Sequence, residues 1–255
     1  MNKVIRAEFG RTINAGLIIA IAGIIFSICF DSFNDLIAGL RNGQGYVGYF
    51  FSNAAFGGMC TKYMLPVFTA LPFSVSLCQE RNNKAVSYIV SREGKNRYIF
   101  AKFIISAISG GFVAVCGTVL LFLMLAMRFP IAGDEFEGAV VSDYFHEWSA
   151  VYYPQLYILT LSILAFCRGV IWSSLALCVS LYTSDFMVVL LSPFLGSYVL
   201  VRIFQIIRVP DMVRPDMILI GQVVIKSSGL TLIIAIAISL TIVTLIGAFF
   251  VGKIK

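Results

Sequence analysis

Long apolar runs separated by short polar stretches dominate the pattern along this chain. Each run approaches or exceeds the ~20 residues that an α-helix needs to cross a bilayer. They cover residues 13–30, 59–78, 99–127, 156–182, 186–207 and 229–251. The pattern predicts an all-α, polytopic membrane protein with six transmembrane helices, formed by a single domain over residues 1–255.

Several helix-breaking residues modify this prediction. Pro66 and Pro72 lie inside the second run and predict a kink, with neighbouring helices satisfying the freed carbonyls. Gly110 and Gly111 mark a bend or a point of close packing in the third run. Only residues 183–185 separate the fourth run from the fifth, which predicts a tight helical hairpin.

The polar segments outside these runs also have recognisable patterns. Residues 1–14 alternate apolar and basic positions, which predicts an interfacial helix before the first span. A signal peptide is the competing interpretation, but run 13–30 exceeds a usual apolar signal region and no small-residue cleavage site follows. Segment 31–58 predicts a short outer helix and a turn region, and Pro210 and Pro215 interrupt a second outer segment, 209–228.

Composition strengthens the membrane assignment. The chain is 59% hydrophobic and 13% charged, with a mean hydropathy of +0.92, whereas soluble domains carry about 25% charged residues. The net charge of +6 could suggest nucleic acid, but the basic residues cluster beside the spans. A cytoplasmic N-terminus puts eleven basic residues inside and seven outside. The positive-inside rule therefore predicts six spans with both termini in the cytoplasm.

Few residues offer catalytic or metal-binding chemistry. The six cysteines show no CxxC spacing and fit small buried hydrophobes, although a disulfide between Cys29 and Cys60 stays open. The single histidine, His146, lies in an acidic outer loop. The sequence has no GxxxxGK[ST] phosphate loop, no HExxH and no GxSxG. We therefore expect neither an enzyme acting alone nor a bound metal or cofactor.

A basic stretch between the second and third runs, residues 79–102, stands out in so apolar a chain. It is called the basic block below. If residues 81–92 are helical, Val86, Ile89 and Val90 form one apolar stripe with a basic rim. Gly94 follows where such a helix should end. The helix could lie on anionic lipid, or it could dock a cytosolic partner by filling a groove with its stripe.

The basic block also resembles a known family. Glu80-Arg81, Ser91-Arg92 and the run from Gly94 to Lys102, combined with six spans and a basic N-terminal helix, are similar to ABC-2 type transporter permeases. The resemblance implies a subunit that pairs with a second copy or a sister permease. It also implies two separate ATPase subunits, which would bind the ATP and Mg²⁺. This would explain why the chain has no phosphate loop.

The resemblance implies roles for two cytoplasmic segments. The first is the main coupling helix, which would dock the ATPase through Glu80, Arg81, Lys84, Val86, Ile89, Val90, Ser91 and Arg92. The second is a smaller contact at the turn between the fourth and fifth spans, formed by Tyr182, Thr183, Ser184 and Asp185. Outer segments like 209–228 often re-enter the membrane as short helices in such permeases.

Three polar residues near or within spans are candidates for a transport path. Arg168 lies near the middle of the fourth span, where an unpaired charge costs at least ~2.5 kcal/mol. It either attracts an anionic group, or makes a structural pair or a carbonyl clamp between helices. Arg202 and Gln205 share a face near the outer end of the fifth span, where they line an exit or Arg202 extends to the interface.

The sequence therefore predicts a permease subunit of an ABC exporter in a bacterial plasma membrane. Its substrate would be amphipathic or anionic, such as a peptide, an antimicrobial or a lipid-like molecule. The alternatives are a secondary transporter or channel that works without ATP, and a non-transporting membrane scaffold. Ion-coupled carriers usually have acidic residues within their spans and an internal repeat, and this chain shows neither.

Overall fold

The computed structural model describes residues 10, 15–42, 47, 50, 58–74, 76–131 and 153–254. This part of the chain is all-helical and contains no strand. The predicted interfacial helix at 1–14 and the acidic outer loop around His146 lie outside the described residues, apart from Gly10. Ten α-helices are described: α1 Ala15–Asp31, α2 Phe33–Asn42, α3 Met59–Ala70, α4 Ser76–Asn82, α5 Ala85–Glu93, α6 Lys95–Ala126, α7 Pro154–Val179, α8 Phe186–Ile207, α9 Pro215–Ile220 and α10 Ser228–Ile254.

Four helices in the described residues are long and apolar enough to cross a membrane. They are Arg97–Ala126 in α6, Gln155–Val179 in α7, Phe186–Ile207, which is α8, and Ser228–Val251 in α10. A fifth candidate is the pair Ala15–Asp31 and Phe33–Arg41, which bends by 71° between its two helices. The predicted membrane-protein architecture is therefore confirmed at the level of four or five candidate spans.

The predicted second span, 59–78, is not a single helix. At ~1.5 Å per residue, the 12 residues of α3 extend only about 18 Å, too short to cross a ~30 Å hydrocarbon layer. Turn 71–74, which contains Pro72, separates α3 from α4. Pro66 lies within the continuous α3. Of the two prolines predicted to kink this helix, only Pro72 lies at an interruption. The helix there is broken by a turn rather than kinked.

A serine cluster holds this turn against two long helices. The Ser74 hydroxyl lies 3.1 Å from those of Ser106 in α6 and Ser173 in α7, and it donates to the Ser173 carbonyl at 3.0 Å. All three serines are fully buried. The turn is therefore anchored by polar contacts inside the protein.

Helices α6 and α7 make the most extensive helix–helix contact among the described elements. A Cβ atom placed on Gly169 would lie 2.4 Å from the carbonyl oxygen of Gly110, and one on Gly111 would lie 2.6 Å from the ring of Phe166. No side chain fits between the two backbones at this crossing. For Gly110 and Gly111 the sequence predicted either a bend or close packing, and close packing is what the structure shows.

Two hydrophobic clusters lie on either side of this crossing. The larger cluster contains residues of α1, α6, α7 and α10, among them Ile24, Val113 and Leu164. The second consists of Leu77, Tyr98, Ile99, Leu177, Cys178 and Phe250. It lies where α4 and the start of α6 meet the ends of α7 and α10, and it supports the basic block.

Candidate functional site

The basic block folds as two short helices rather than one. Helix α4 ends at Asn82, and α5 begins at Ala85 after Lys84, which has a left-handed backbone with φ 54°. Gly94, at φ 83°, ends α5 and donates its N–H to the Val90 carbonyl at 3.0 Å. The predicted helix end at Gly94 is therefore confirmed. The two helices and the start of α6 form one folded unit.

A buried ion pair joins α4 to α6 inside this unit. Lys102 has no exposed surface, and its Nζ lies 2.7 Å from Oε1 of Glu80. The ammonium also donates to Ser76 Oγ at 3.0 Å and lies 4.8 Å from the centre of the Phe73 ring. The Tyr98 hydroxyl donates to the other Glu80 oxygen. The charge of Lys102 is therefore neutralised and hydrogen-bonded within the protein.

Lys102 and Tyr98 were not among the predicted site residues. The sequence did contain an indication that Lys102 is buried, because this residue lies between Ala101 and Phe103 at the start of a long apolar run. A lysine in such a position needs an acidic partner. Glu80 is the acid that α4 brings to it. Glu80 is itself 8% exposed, so it holds α4 on α6 rather than facing outward.

A second set of contacts joins α4 to the connection between α7 and α8. Arg81 Nη1 donates to the carbonyls of Ser180 and Leu181, at 2.9 and 2.8 Å. These lie just after the last turn of α7, where carbonyls lack intrahelical partners and the helix dipole favours a cation. Asn82 Nδ2 donates to the Ser184 carbonyl at 3.1 Å. The structure thus brings the two predicted cytoplasmic contacts together.

The connection itself is longer than predicted. Helix α7 ends at Val179 and α8 begins at Phe186, so residues 180–185 form the link. Asp185 caps α8 by accepting from the Met187 N–H at 2.8 Å, and the Thr183 hydroxyl accepts from the Asp185 N–H at 3.1 Å. The side chain of Tyr182 is 60% exposed. A partner could therefore reach this link from outside.

The apolar stripe of α5 faces the interior of the protein. Val86, Ile89 and Val90 are partly buried and pack against the second hydrophobic cluster. The exposed face of the helix carries Lys84, Ser91 and Tyr88, and the Tyr88 side chain is 77% exposed. The side chain of Arg92 lies outside the described part of the structure. The surface available for docking is therefore the polar and aromatic face of α5.

Arg168 lines a cavity on the other side of the helix crossing. The cavity has a volume of about 160 Å³, and its walls come from α3, α7, α8, α9 and α10. Arg168 is 8% exposed, and its Nε has no hydrogen-bond partner in the described structure. No carboxylate within the described ranges pairs with it. The structural pair that the sequence left open is therefore absent from this part of the chain.

Charges from the segment between α8 and α10 lie at the same cavity. Arg214 holds Asp216 with two hydrogen bonds, of 3.2 and 2.8 Å, and also contacts Asp211 at 3.2 Å. The hydrogen bond to Asp216 raises the pKa of Arg214 above its usual value. Lys62 Nζ lies 3.9 Å from the same Asp216 carboxylate. The Asp216 carboxylate thus interacts with both Arg214 and Lys62, and Arg214 is its main partner.

The remaining predicted path residues lie on the surface of α8. Arg202 Nη1 donates to Gln205 Oε1 at 3.2 Å, its Nε donates to the Tyr198 hydroxyl at 3.2 Å, and its guanidinium lies 5.2 Å from the Tyr198 ring centre. The predicted shared face is confirmed. Both side chains are exposed, and neither lines the Arg168 cavity.

The cysteines and the other potential ligands form no metal site in the described residues. No group of three or more His, Cys, Asp or Glu side chains lies close enough there to hold an ion. Cys29 and Cys60 are both free thiols, so the disulfide left open by the sequence is not formed. The backbone N–H of Cys60 instead donates to Asp31 at 2.9 Å.

Comparison with known proteins identifies no relative for this chain: no protein-family model matches it, and neither does a curated protein or a solved structure.

Proposed function

We propose that this chain is the transmembrane permease subunit of an ATP-driven ABC transporter. It would have six spans and cytoplasmic termini in a bacterial plasma membrane, and would pair with a second copy or a sister permease. Separate cytosolic ATPase subunits would bind ATP and Mg²⁺. The observation that supports this most is the joining of α4, α5 and the 180–185 link into one surface. Such a surface suits a partner that must move several spans together.

Two contacts would carry partner movement into the membrane helices. The Glu80–Lys102 pair connects α4 to α6, and Arg81 connects α4 to the end of α7. A displacement of the exposed face of α5 would therefore reach α6 and α7 together. Because both contacts involve charged hydrogen bonds, each is stronger than a neutral one.

The six-span topology rests on counting α3, turn 71–74 and α4 as one broken span. The buried serine cluster supports this, because it anchors the turn within the protein. Helix α9 follows a short 3₁₀ turn, and its residues Ile218, Leu219 and Ile220 are buried. This agrees with a short re-entrant helix between the fifth and sixth spans. The cavity at Arg168 supports export or clearance of an amphipathic or anionic substrate.

The docking part of the proposal is tested by co-expression with the ABC ATPase encoded beside this chain. We expect the ATPase to co-purify with the wild-type protein and to be lost from the Tyr88→Asp variant, since Tyr88 is a large side chain on α5 that is 77% exposed. Aspartate at Val86, Ile89 or Val90 is a poorer test, because those side chains pack on the protein's own cluster. Complex formation is measured by affinity capture followed by size-exclusion chromatography.

Tyr153→Asp provides the matched control. Tyr153 is 56% exposed and precedes α7, at the opposite end of that helix from the 180–185 link. This variant should retain the ATPase at the wild-type level. Undiminished capture by the Tyr88→Asp protein, or absence of any ATPase from the wild-type sample, would refute the proposal.

A further inference from the structure

We propose that the cavity beside Arg168 binds an anionic amphiphile, with the anionic group at the guanidinium and a narrow apolar portion along the cavity wall. Binding itself would be a property of this chain alone. Only the further assignment of that molecule as the transported cargo rests on the proposed function. The inference depends on three observations: a buried cation that has no acidic partner among the described residues, a local excess of positive charge, and an apolar space of limited size.

Arg168 is the first of these observations. A guanidinium has five N–H donors and stays charged in proteins, so burial without acceptors is costly. At 8% exposure, Arg168 has no carboxylate partner in the described structure, and its Nε is unsatisfied. A carboxylate or phosphate oxygen in the cavity would give the guanidinium a charged acceptor, which the described structure does not provide.

The charge balance around the cavity favours an anion. Lys62 and Arg168 line the cavity as cations, and Asp216 is the acidic residue among its described lining residues. Two hydrogen bonds already commit Asp216 to Arg214, and Lys62 is left with a long 3.9 Å contact. An incoming anion would therefore meet Arg168, which has no carboxylate partner in the described residues, and Lys62, whose contact with the shared Asp216 is long.

The size and lining of the cavity favour a narrow apolar body next to the anionic group. A volume of about 160 Å³ is close to the ~150 Å³ of a cavity that admits benzene. The wall includes the apolar side chains of Leu65, Ile171, Trp172, Leu175 and Leu200. A fully hydrated inorganic ion would lose its water here without enough donors to replace it. One segment of an acyl or alkyl chain fits the space better.

Trp172 makes the proposal measurable. The chain has two tryptophans, so a Trp148→Phe background leaves Trp172, in the cavity wall, as the single reporter. The probe is dodecanoate brominated in mid-chain, because bromine quenches indole fluorescence on contact, and the comparison ligand is the equivalent neutral dodecanol. In neutral detergent we expect the carboxylate to bind at least tenfold more tightly than the alcohol.

Variants assign the difference to Arg168. Arg168→Gln should abolish the preference for the carboxylate, and Arg168→Lys should retain part of it. Arg208→Gln is the matched control, because it removes one positive charge from the exposed C-terminal end of the neighbouring α8 and should leave binding unchanged. Size-exclusion profiles establish that each variant is folded. Equal quenching by both ligands, or an unchanged preference in folded Arg168→Gln, would overturn the proposal.

A competition experiment separates an amphiphile from a free anion. Unlabelled dodecyl phosphate should displace the probe, whereas inorganic phosphate at the same concentration should not. Equal displacement by inorganic phosphate would show a small-anion site and would overturn the amphiphile assignment. No ATPase takes part in these measurements, so their failure leaves the docking proposal intact, and failure of ATPase capture leaves this one intact.

Discussion

Lys102 and Arg168 are both basic residues buried among apolar helices, but their surroundings differ completely. Lys102 is fully buried with a carboxylate at 2.7 Å, a serine hydroxyl at 3.0 Å and an aromatic ring at 4.8 Å. Arg168 is almost as buried, yet its Nε lacks a partner and no described carboxylate pairs with it. The charge of Lys102 is satisfied by groups of the protein itself, whereas the described residues leave the charge of Arg168 without a counter-charge.

This difference separates a structural charge from a functional one. Burying a charge costs several kcal/mol even after the protein relaxes. At Lys102 the pairing with Glu80 offsets that cost and fixes α4 on α6. At Arg168 the cost persists in the described structure, and the protein retains the residue despite it. A side chain that lowers stability and lines a cavity is best explained by what it binds.

The largest expected effect comes from breaking the satisfied pair. Lys102→Met should destabilise the protein by about 3–5 kcal/mol, because the buried Glu80 carboxylate would lose the cation that lies 2.7 Å from its Oε1. The measurement is thermal unfolding in neutral detergent, followed by size-exclusion chromatography. The double variant Glu80→Gln, Lys102→Met should recover most of the lost stability. A mild effect of Lys102→Met alone would show that the pair contributes little, and the contrast with Arg168 would disappear.

A smaller effect of opposite sign is expected at Arg168. Arg168→Met should stabilise the ligand-free protein by about 1–3 kcal/mol, because it removes a buried charge without removing a known partner. The same thermal measurement applies. Arg202→Met, which changes an exposed arginine on α8, should stay within about 0.5 kcal/mol of wild type. Destabilisation by Arg168→Met would mean that the guanidinium is paired within the protein.

The smallest expected effect concerns the backbone between α4 and α5. Lys84 has φ 54°, a left-handed conformation that costs a residue with a Cβ about 1–2 kcal/mol. Lys84→Gly should therefore be about 1 kcal/mol more stable than Lys84→Ala, since both variants lose the same exposed side chain. Equal stability of the two, measured by thermal unfolding, would show that the region near Lys102 stores no strain at this turn.

The elements that the sequence could predict are those set by local patterns. Apolar length gave the helical membrane class and the bounds of α8, and Gly94 marked the end of α5 because glycine accepts its positive φ. The glycine pair at 110 and 111 indicated either a bend or close packing, and close packing is observed. In each case the determining interaction lies within the segment itself or in the absence of a side chain.

The elements that the sequence could not predict depend on distant partners. The break in the predicted second span is stabilised by Ser106 and Ser173, far from Ser74 along the chain. The stripe of α5 faces inward because Leu77, Tyr98 and Phe250 form a cluster beneath it. Periodicity identifies an apolar face, but a single helix does not specify whether that face meets the protein, lipid or a partner.

The glycine crossing has a consequence for how the Arg168 cavity can change shape. Gly169 follows Arg168 directly, and its backbone touches that of Gly110, with no side chain between them that could adjust. The position of Arg168 along α6 is therefore fixed. Sliding or rotating α7 against α6 would force the backbones of Gly169 and Gly110 into each other. One wall of the cavity is rigid. Any change in its volume must come from displacement of α3, α8, α9 or α10 relative to that wall.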